Sequence, residues 1–263
     1  MRSLFFCTCL LLLSACATQK MPEGYYTDRN EAKLAPLRQE MQVALGNQLA
    51  RSGLAEGSPI FIRIFKLENT LEVWMEDKQD QGRYRLFQSF PICSFSGTLG
   101  PKLMEGDKQS PEGFYEITPD QLHPQSEYHL AMNIGFPNQY DQSLNRTGSF
   151  LMIHGGCKSI GCFAMRDKGI EEIYFLAEAA FKNGQPSIPV HIFPFHLTAE
   201  NIEVTQSHSW YPFWANLKQG YDMFEMTRIP PIVSSTPGAY RIASRAPLPV
   251  QYANYSLKRL DQE

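Results

Sequence analysis

The chain has 263 residues, 43% of them hydrophobic, which is enough for one sizeable domain with appendages around a real core. A formal net charge of -3 gives no electrostatic case for nucleic-acid binding. No internal repeat or long low-complexity run is present, which excludes a repeat array.

The chain starts MRSLFFCTCLLLLSACATQK: Arg2, an apolar run from Leu4 to Leu13, then small residues. Residues 1–15 therefore read as a signal peptide, too short to span a bilayer as a stable helix. Leu13-Ser14-Ala15-Cys16 resembles a bacterial lipobox, which implies cleavage before Cys16 and a lipid on its thiol. Ala17 rather than aspartate follows, and by resemblance to Gram-negative lipoproteins this implies export to the periplasm and an outer-membrane anchor. No other stretch reads as a membrane span, so the expectation is a domain held at a membrane by acyl chains.

Residues 16–29 are polar, contain Pro22 and Gly24, and read as a tether. From Asn30 to Arg51, Leu34, Leu37, Met41, Leu45 and Leu49 recur at helical spacing, with Asp28 as N-cap and Gly53 just past the end. This N-terminal helical unit is assigned 30–57. The period then shortens, and strands are predicted over 60–66, 70–76, 83–90, 113–117, 127–134, 149–154 and 187–195. Between the last two, DKGIEEIYFLAEAAFKNG is a predicted helix capped by Asp167 and stopped at Gly184. Strands outnumber helices and do not alternate with them, so the fold class is α+β. A C-terminal extension, 197–263, is aromatic-rich at first and loop-like from PPIVSSTPGAY onward. Its Trp210, Trp214 and Tyr221 either line a glycan groove or, the better-weighted reading, pack the extension onto the domain.

Cysteine arithmetic singles out one segment. Of six cysteines, Cys7 and Cys9 leave with the signal and Cys16 is acylated, so Cys93, Cys157 and Cys162 remain. An odd number in an oxidising compartment leaves at least one thiol free or paired outside the chain. Two of the three lie in HGGCKSIGCF, His154 to Phe163. As a zinc site, His154, Cys157 and Cys162 give three ligands where a structural site takes four, usually in close pairs, so no metal is assigned. A disulfide, within this segment or to Cys93, still leaves one thiol over. As a nucleophile and base, the segment fits: a thiol with an ordinary pKa of about 8.5 needs a proton acceptor to attack, and an imidazole supplies one. The apolar run SFLMIH fixes His154 at a strand end, and Gly161 lets the backbone turn so that nearby amides can face a carbonyl oxygen.

These residues resemble a known family. SIGCFAM is similar to the catalytic signature of the L,D-transpeptidase (YkuD-type) domain, IHG to its upstream histidine, and GDKQSPEGFYEI to a further stretch of the same domain. FSGTLGPKLMEGDKQSPEGFY, LAMNIGFPNQYD, RTGSFLMIHGGCKSIGCFAM and IPVHIFPF resemble its lipoprotein-detaching, DpaA-like branch, over about residues 33 to 232. Two departures stand out: the interval between His154 and Cys162 is shorter than the family's, and Ile160 occupies the place of a second histidine. The resemblance implies a mainly β, sandwich-like catalytic domain over 58–196 and a peptidoglycan enzyme of cell-wall biogenesis or remodelling. It implies Cys162 as nucleophile, His154 as general base and acid, Gly161 and Ile160 as oxyanion amides, and Ser159 as a brace of the loop. Either Gly155 or Gly156 would orient the imidazole through its carbonyl. Arg146 is a candidate for a substrate carboxylate or, equally, a loop clamp; Lys102 is a weaker candidate of the same kind. The partner is a peptidoglycan stem peptide attacked at the L-centre of diaminopimelate, and a peptidoglycan-linked lipoprotein in the branch reading. No cofactor is called for. An amine acceptor makes the enzyme a transpeptidase and water an amidase; a non-catalytic peptidoglycan-binding lipoprotein is the alternative of another class.

Overall fold

The computed structural model describes residues 21–80 and 82–246. The expected signal peptide, the lipidation site Cys16, the start of the tether and the end of the C-terminal extension lie outside them.

Helix α1 (Asp28–Ser52) starts at Thr27, whose hydroxyl accepts the Asn30 amide, and ends at Gly53 in the left-handed region. The N-cap is thus one residue earlier than predicted, and Asp28 serves in the acidic first turn. Leu34, Met41, Leu45 and Leu49 are its buried stripe. The end of the expected tether is packed instead: Met21 and Tyr25 are buried, and the Tyr25 hydroxyl bonds Glu178 at 2.9 Å. Its phenol and Met21 are apolar enough to extend the core that α1 begins.

Strands β1 (Ile60–Phe65), β2 (Thr70–Asp77), β3 (Arg83–Pro91), β4 (Gly113–Ile117) and β9 (Ile188–Phe193) form a five-stranded sheet in the order β3-β2-β1-β9-β4. Only β1 and β9 run parallel. β1 reads IFIRIF and is buried throughout, because both faces of the sheet are covered. Ile60, Ile62 and Ile64 face the main core, while Phe61 and Phe65 join the aromatic clusters on the other face. A second sheet holds β5 (Leu122–His123), β6 (Ala131–Asn133), β7 (Met152–His154) and β8 (Phe163–Ala164) in chain order. Helix α2 (Gln139–Ser143) lies between β6 and β7. Helix α3 (Arg166–Lys182) packs on β1 of the first sheet, on β6 and β7 of the second, and on α1, so it joins the layers. This is an α+β architecture.

The C-terminal extension is ordered beyond its aromatic part. Helices α4 (Ala199–Glu203) and α5 (Tyr211–Thr227) are followed by a hairpin of β10 (Ile232–Thr236) and β11 (Ala239–Ala243), where a loop was expected. Its strand pattern is hidden in sequence because the hairpin is short and mostly half-exposed. Trp214 and Tyr221 are buried among Phe65, Phe193, Phe195 and Leu217, so they pack the extension onto the sheet. Glu112 is wholly buried: it takes Lys66 Nζ at 3.0 Å, the Gly100 amide at 2.7 Å and Trp214 Nε1 at 2.8 Å. That group ties α5 to the 96–112 loop beside the site.

Candidate active site

The strand leading to His154 is shorter than predicted. Phe150 has φ 53 and is exposed, so pairing begins only at Met152. β7 and β8 are parallel, with His154 opposite Ala164 and Ile153 opposite Phe163. Cys162 immediately precedes β8, and alternation brings it to the same face as Ala164 and His154.

His154 is buried, and its Nδ1 lies 2.6 Å from the Gly155 carbonyl oxygen. That oxygen can only accept, so Nδ1 carries the proton and Nε2 keeps its lone pair. Burial holds the imidazole below its usual pKa, with the Gly155 bond acting in the opposite direction. Burial likewise pushes the Cys162 thiol up, opposed by the Met152 amide and the charge of Lys102. Burial thus favours the neutral form of both groups, a thiol and an imidazole whose Nε2 has a free lone pair. In this state the thiol contacts the Phe150 carbonyl at 3.5 Å.

Cys93 and Cys157 form a disulfide, with Cα atoms 5.4 Å apart. Cys162 is the free cysteine among the described residues. Cys157 is thereby removed from any ligand set with His154 and Cys162, because a metal-binding cysteine must be a thiolate.

Four side chains, Ser159, Ser110, Ser96 and Asp167, hold the loop between His154 and Cys162. Ser159 Oγ donates to the Cys162 carbonyl at 2.8 Å and accepts the Gly161 amide at 3.2 Å. The Gly161 amide, one of the two expected oxyanion donors, is thus bonded to Ser159 in this structure. The exposed Ile160 has an amide with no acceptor among the described residues. Ser110 Oγ also donates to the Cys162 carbonyl, at 3.3 Å, and Ser96 Oγ lies 3.3 Å from Ser159 Oγ. Asp167, expected to cap α3, instead accepts the Gly156 amide at 2.8 Å. The N-cap is Met165, with no side-chain cap bond, so the carboxylate serves the loop rather than the helix.

Tyr128 went unnoticed in the sequence. Its ring packs on that of His154, with centroids 4.7 Å apart. Residues 127–130 were read as strand, yet His129 has φ 68 and its Nε2 bonds Glu171 at 2.7 Å. That left-handed turn is what brings Tyr128 onto the imidazole. Arg146 is buried, pairs with Asp141 at 2.9 Å, and sits over the Tyr140 and Phe213 rings, contacts that a loop clamp would make. Lys102 is buried beside the site and pairs with Asp107 at 2.5 Å.

The family model described as the L,D-transpeptidase catalytic domain matches residues 60–192, from β1 through β9, and so contains every residue of this site. The chain belongs to the L,D-transpeptidase family. The match begins at the sheet's central strand and ends at its parallel neighbour, so α1 and the C-terminal extension flank the L,D-transpeptidase domain. YafK of Escherichia coli (strain K12), whose name provisionally makes it an L,D-transpeptidase, is 47% identical over 187 residues, 71% of this chain and 75% of that one. The protein of the same name from Escherichia coli O157:H7 matches equally. Among solved structures, the helical cell shape determining protein Pgp2 from Campylobacter jejuni is 20% identical, with TM-score 0.42, covering 68% of this chain and 66% of that one. A mutant of it scores 0.43, over 64% of this chain and 56% of that one.

Proposed function

We propose that the chain is a cysteine-dependent peptidoglycan enzyme that attacks the carbonyl at the L-centre of diaminopimelate in stem peptides. The observation that carries this reading is the pairing of Cys93 with Cys157, which leaves Cys162 as a free thiol on the face of β7 and β8 that bears the buried His154. The Cys162 proton passes to His154 Nε2 as the sulfur bonds the carbonyl carbon. The developing oxyanion is met by the Ile160 amide. The imidazolium then gives its proton to the leaving amine, the C–N bond breaks, and a thioester remains on Cys162. The Gly155 carbonyl holds the ring in the tautomer this sequence needs. Ser159 braces the loop from inside, and no cofactor enters any step.

Resolution of the thioester sets the activity. An amine acceptor gives a transpeptidase; water, with His154 again as base, gives an amidase. Resemblance to the lipoprotein-detaching branch supports the second, with the lysine of a peptidoglycan-linked lipoprotein as the leaving amine. In this reading the domain works in the periplasm, held by lipid on Cys16 at the outer membrane. Mass spectrometry of sacculus digests separates the outcomes. New cross-links mean transfer, and freed lipoprotein or shortened stems mean hydrolysis; both are expected to vanish in Cys162→Ala. Unchanged sacculi with the native chain would favour the non-catalytic binding lipoprotein.

A further inference from the structure

Burial works against both partners of a thiolate–imidazolium pair here, lowering His154 and raising Cys162. Something must offset that penalty as the thiol ionises. The 99–110 loop brings one buried cation to the site. Lys102 has a side chain only 3% exposed, and its ammonium donates to Asp107 Oδ1 at 2.5 Å and the Met104 carbonyl at 3.0 Å. An ammonium has three protons, so one has no partner among the described residues.

Its stem is aimed at the segment that carries the thiol's contact. A Cβ on Gly148 would come within 2.5 Å of Lys102 Cε, so only glycine lets the lysine pass. Shortly beyond Gly148 comes Phe150, whose carbonyl the Cys162 thiol touches. The two loops are laced together. The Thr147 amide donates to the Leu103 carbonyl at 3.1 Å, the Glu105 amide to Thr147 Oγ1 at 3.0 Å, and Ser149 Oγ to the Glu105 carboxylate at 3.2 Å. Other charged groups of the surrounding segments have partners of their own: Lys66 pairs with Glu112, and Asp167 accepts the Gly156 amide. Asp107 is covered by Lys102 and by the amides of Leu103, Met104 and Gln109. Glu105 faces Ser149, Lys158 is exposed on the loop itself, and His154 is the base.

We propose that Lys102 is a positioning residue whose ammonium supports the Cys162 thiolate as it forms, with Asp107 holding that ammonium in place and tempering its charge. The proposal rests on the reading of Cys162 as nucleophile, but its test needs no peptidoglycan. In the full-length protein with its disulfide intact, the rate of iodoacetamide alkylation at Cys162 is followed against pH by peptide mass spectrometry. Lys102→Met is expected to raise the midpoint and slow alkylation at neutral pH about tenfold. Lys102→Arg keeps the midpoint near that of the native chain, and Asp107→Asn lowers it. Loss of packing would move Lys102→Met and Asp107→Asn in the same direction; a charge effect moves them in opposite directions. An unmoved midpoint in folded Lys102→Met overturns the proposal. Should that variant not fold, Asp107→Asn decides alone, and a midpoint that rises or stays put overturns it. Failure of Cys162→Ala to lose activity on sacculi would instead remove the function itself, leaving the alkylation result unaffected.

Discussion

At the scale of single residues, His154 is set by its own neighbour: the Gly155 carbonyl fixes the ring's tautomer and direction. Position 155 has no room for a side chain. A Cβ there would lie 2.6 Å from the Tyr128 carbonyl oxygen and 2.8 Å from Asp167 Oδ1, neither of which can yield easily. Gly155→Ala should therefore displace the imidazole, lowering turnover on sacculi by roughly tenfold to a hundredfold while the thiol still reacts with small probes. Equal loss of both activities would mean general unfolding instead. His154 and Cys162 were legible in sequence because one short segment holds both. Tyr128 and Ser110 reach the site from segments remote in the chain, and nothing local marked them; Lys102, from another such segment, was marked only as a weaker candidate for a substrate carboxylate. For Gly161 the sequence hid a competitor: the nearby Ser159 hydroxyl takes its amide, and a motif cannot say which acceptor wins.

Among the elements, the loop between β7 and β8 has no regular structure, so its shape is imposed from outside. Cys93 holds it through the disulfide to Cys157, and Ser94 pairs with Ala164 on the free edge of β8. The cross-link spans 64 residues of chain, which in the chain-entropy view stabilises by about 4 kcal/mol. Cys93→Ser and Cys157→Ser are each expected to lose 2–4 kcal/mol by roughly that argument, measured by urea unfolding, and to weaken rather than abolish activity. Complete loss in a still-folded variant would make one of these sulfurs a participant in the chemistry. Element types came through from the sequence where the period was strong, as in α1, α3 and the first three strands. Strand ends near the site did not, because Phe150 and His129 turn into the left-handed region there. Asp167 shows the same limit: it looks like a helix cap, and the loop between β7 and β8 takes it.

Across the molecule, the five-stranded sheet has one face on the main core and the other under α5. His191 of β9 points to the second face, between Phe61 and Phe114, with Nδ1 unpartnered among the described residues. Burial, with Arg63 adding to it, pushes its pKa down to about 3. A histidine kept neutral in this way contributes stability that is whole above its ordinary value of 6.5 and is lost as pH falls toward 3. The expected slope is about 1.4 kcal/mol per pH unit for one proton. His196 acts in the reverse sense: its bonds to Glu68 and Glu72 push it up to about 9, so its contribution is whole below 6.5 and fades as pH rises toward 9. Unfolding in urea across this range should show His191→Phe flattening the acid limb only; an unchanged acid limb would contradict the account. Much of this layering was hidden in sequence, since β1 and β9 are buried on both faces and lack the alternation that marks a sheet's inner side.

The central claim is that Cys162 carries the acyl group as a thioester. Acid-quenched reactions with diaminopimelate-containing stem peptides, read by intact-mass and peptide mass spectrometry, test it directly. The account predicts a mass gain of one acylated peptide on Cys162, removed by hydroxylamine and absent in Cys162→Ala. Product formation by Cys162→Ala, or an adduct on any residue other than Cys162, would contradict it.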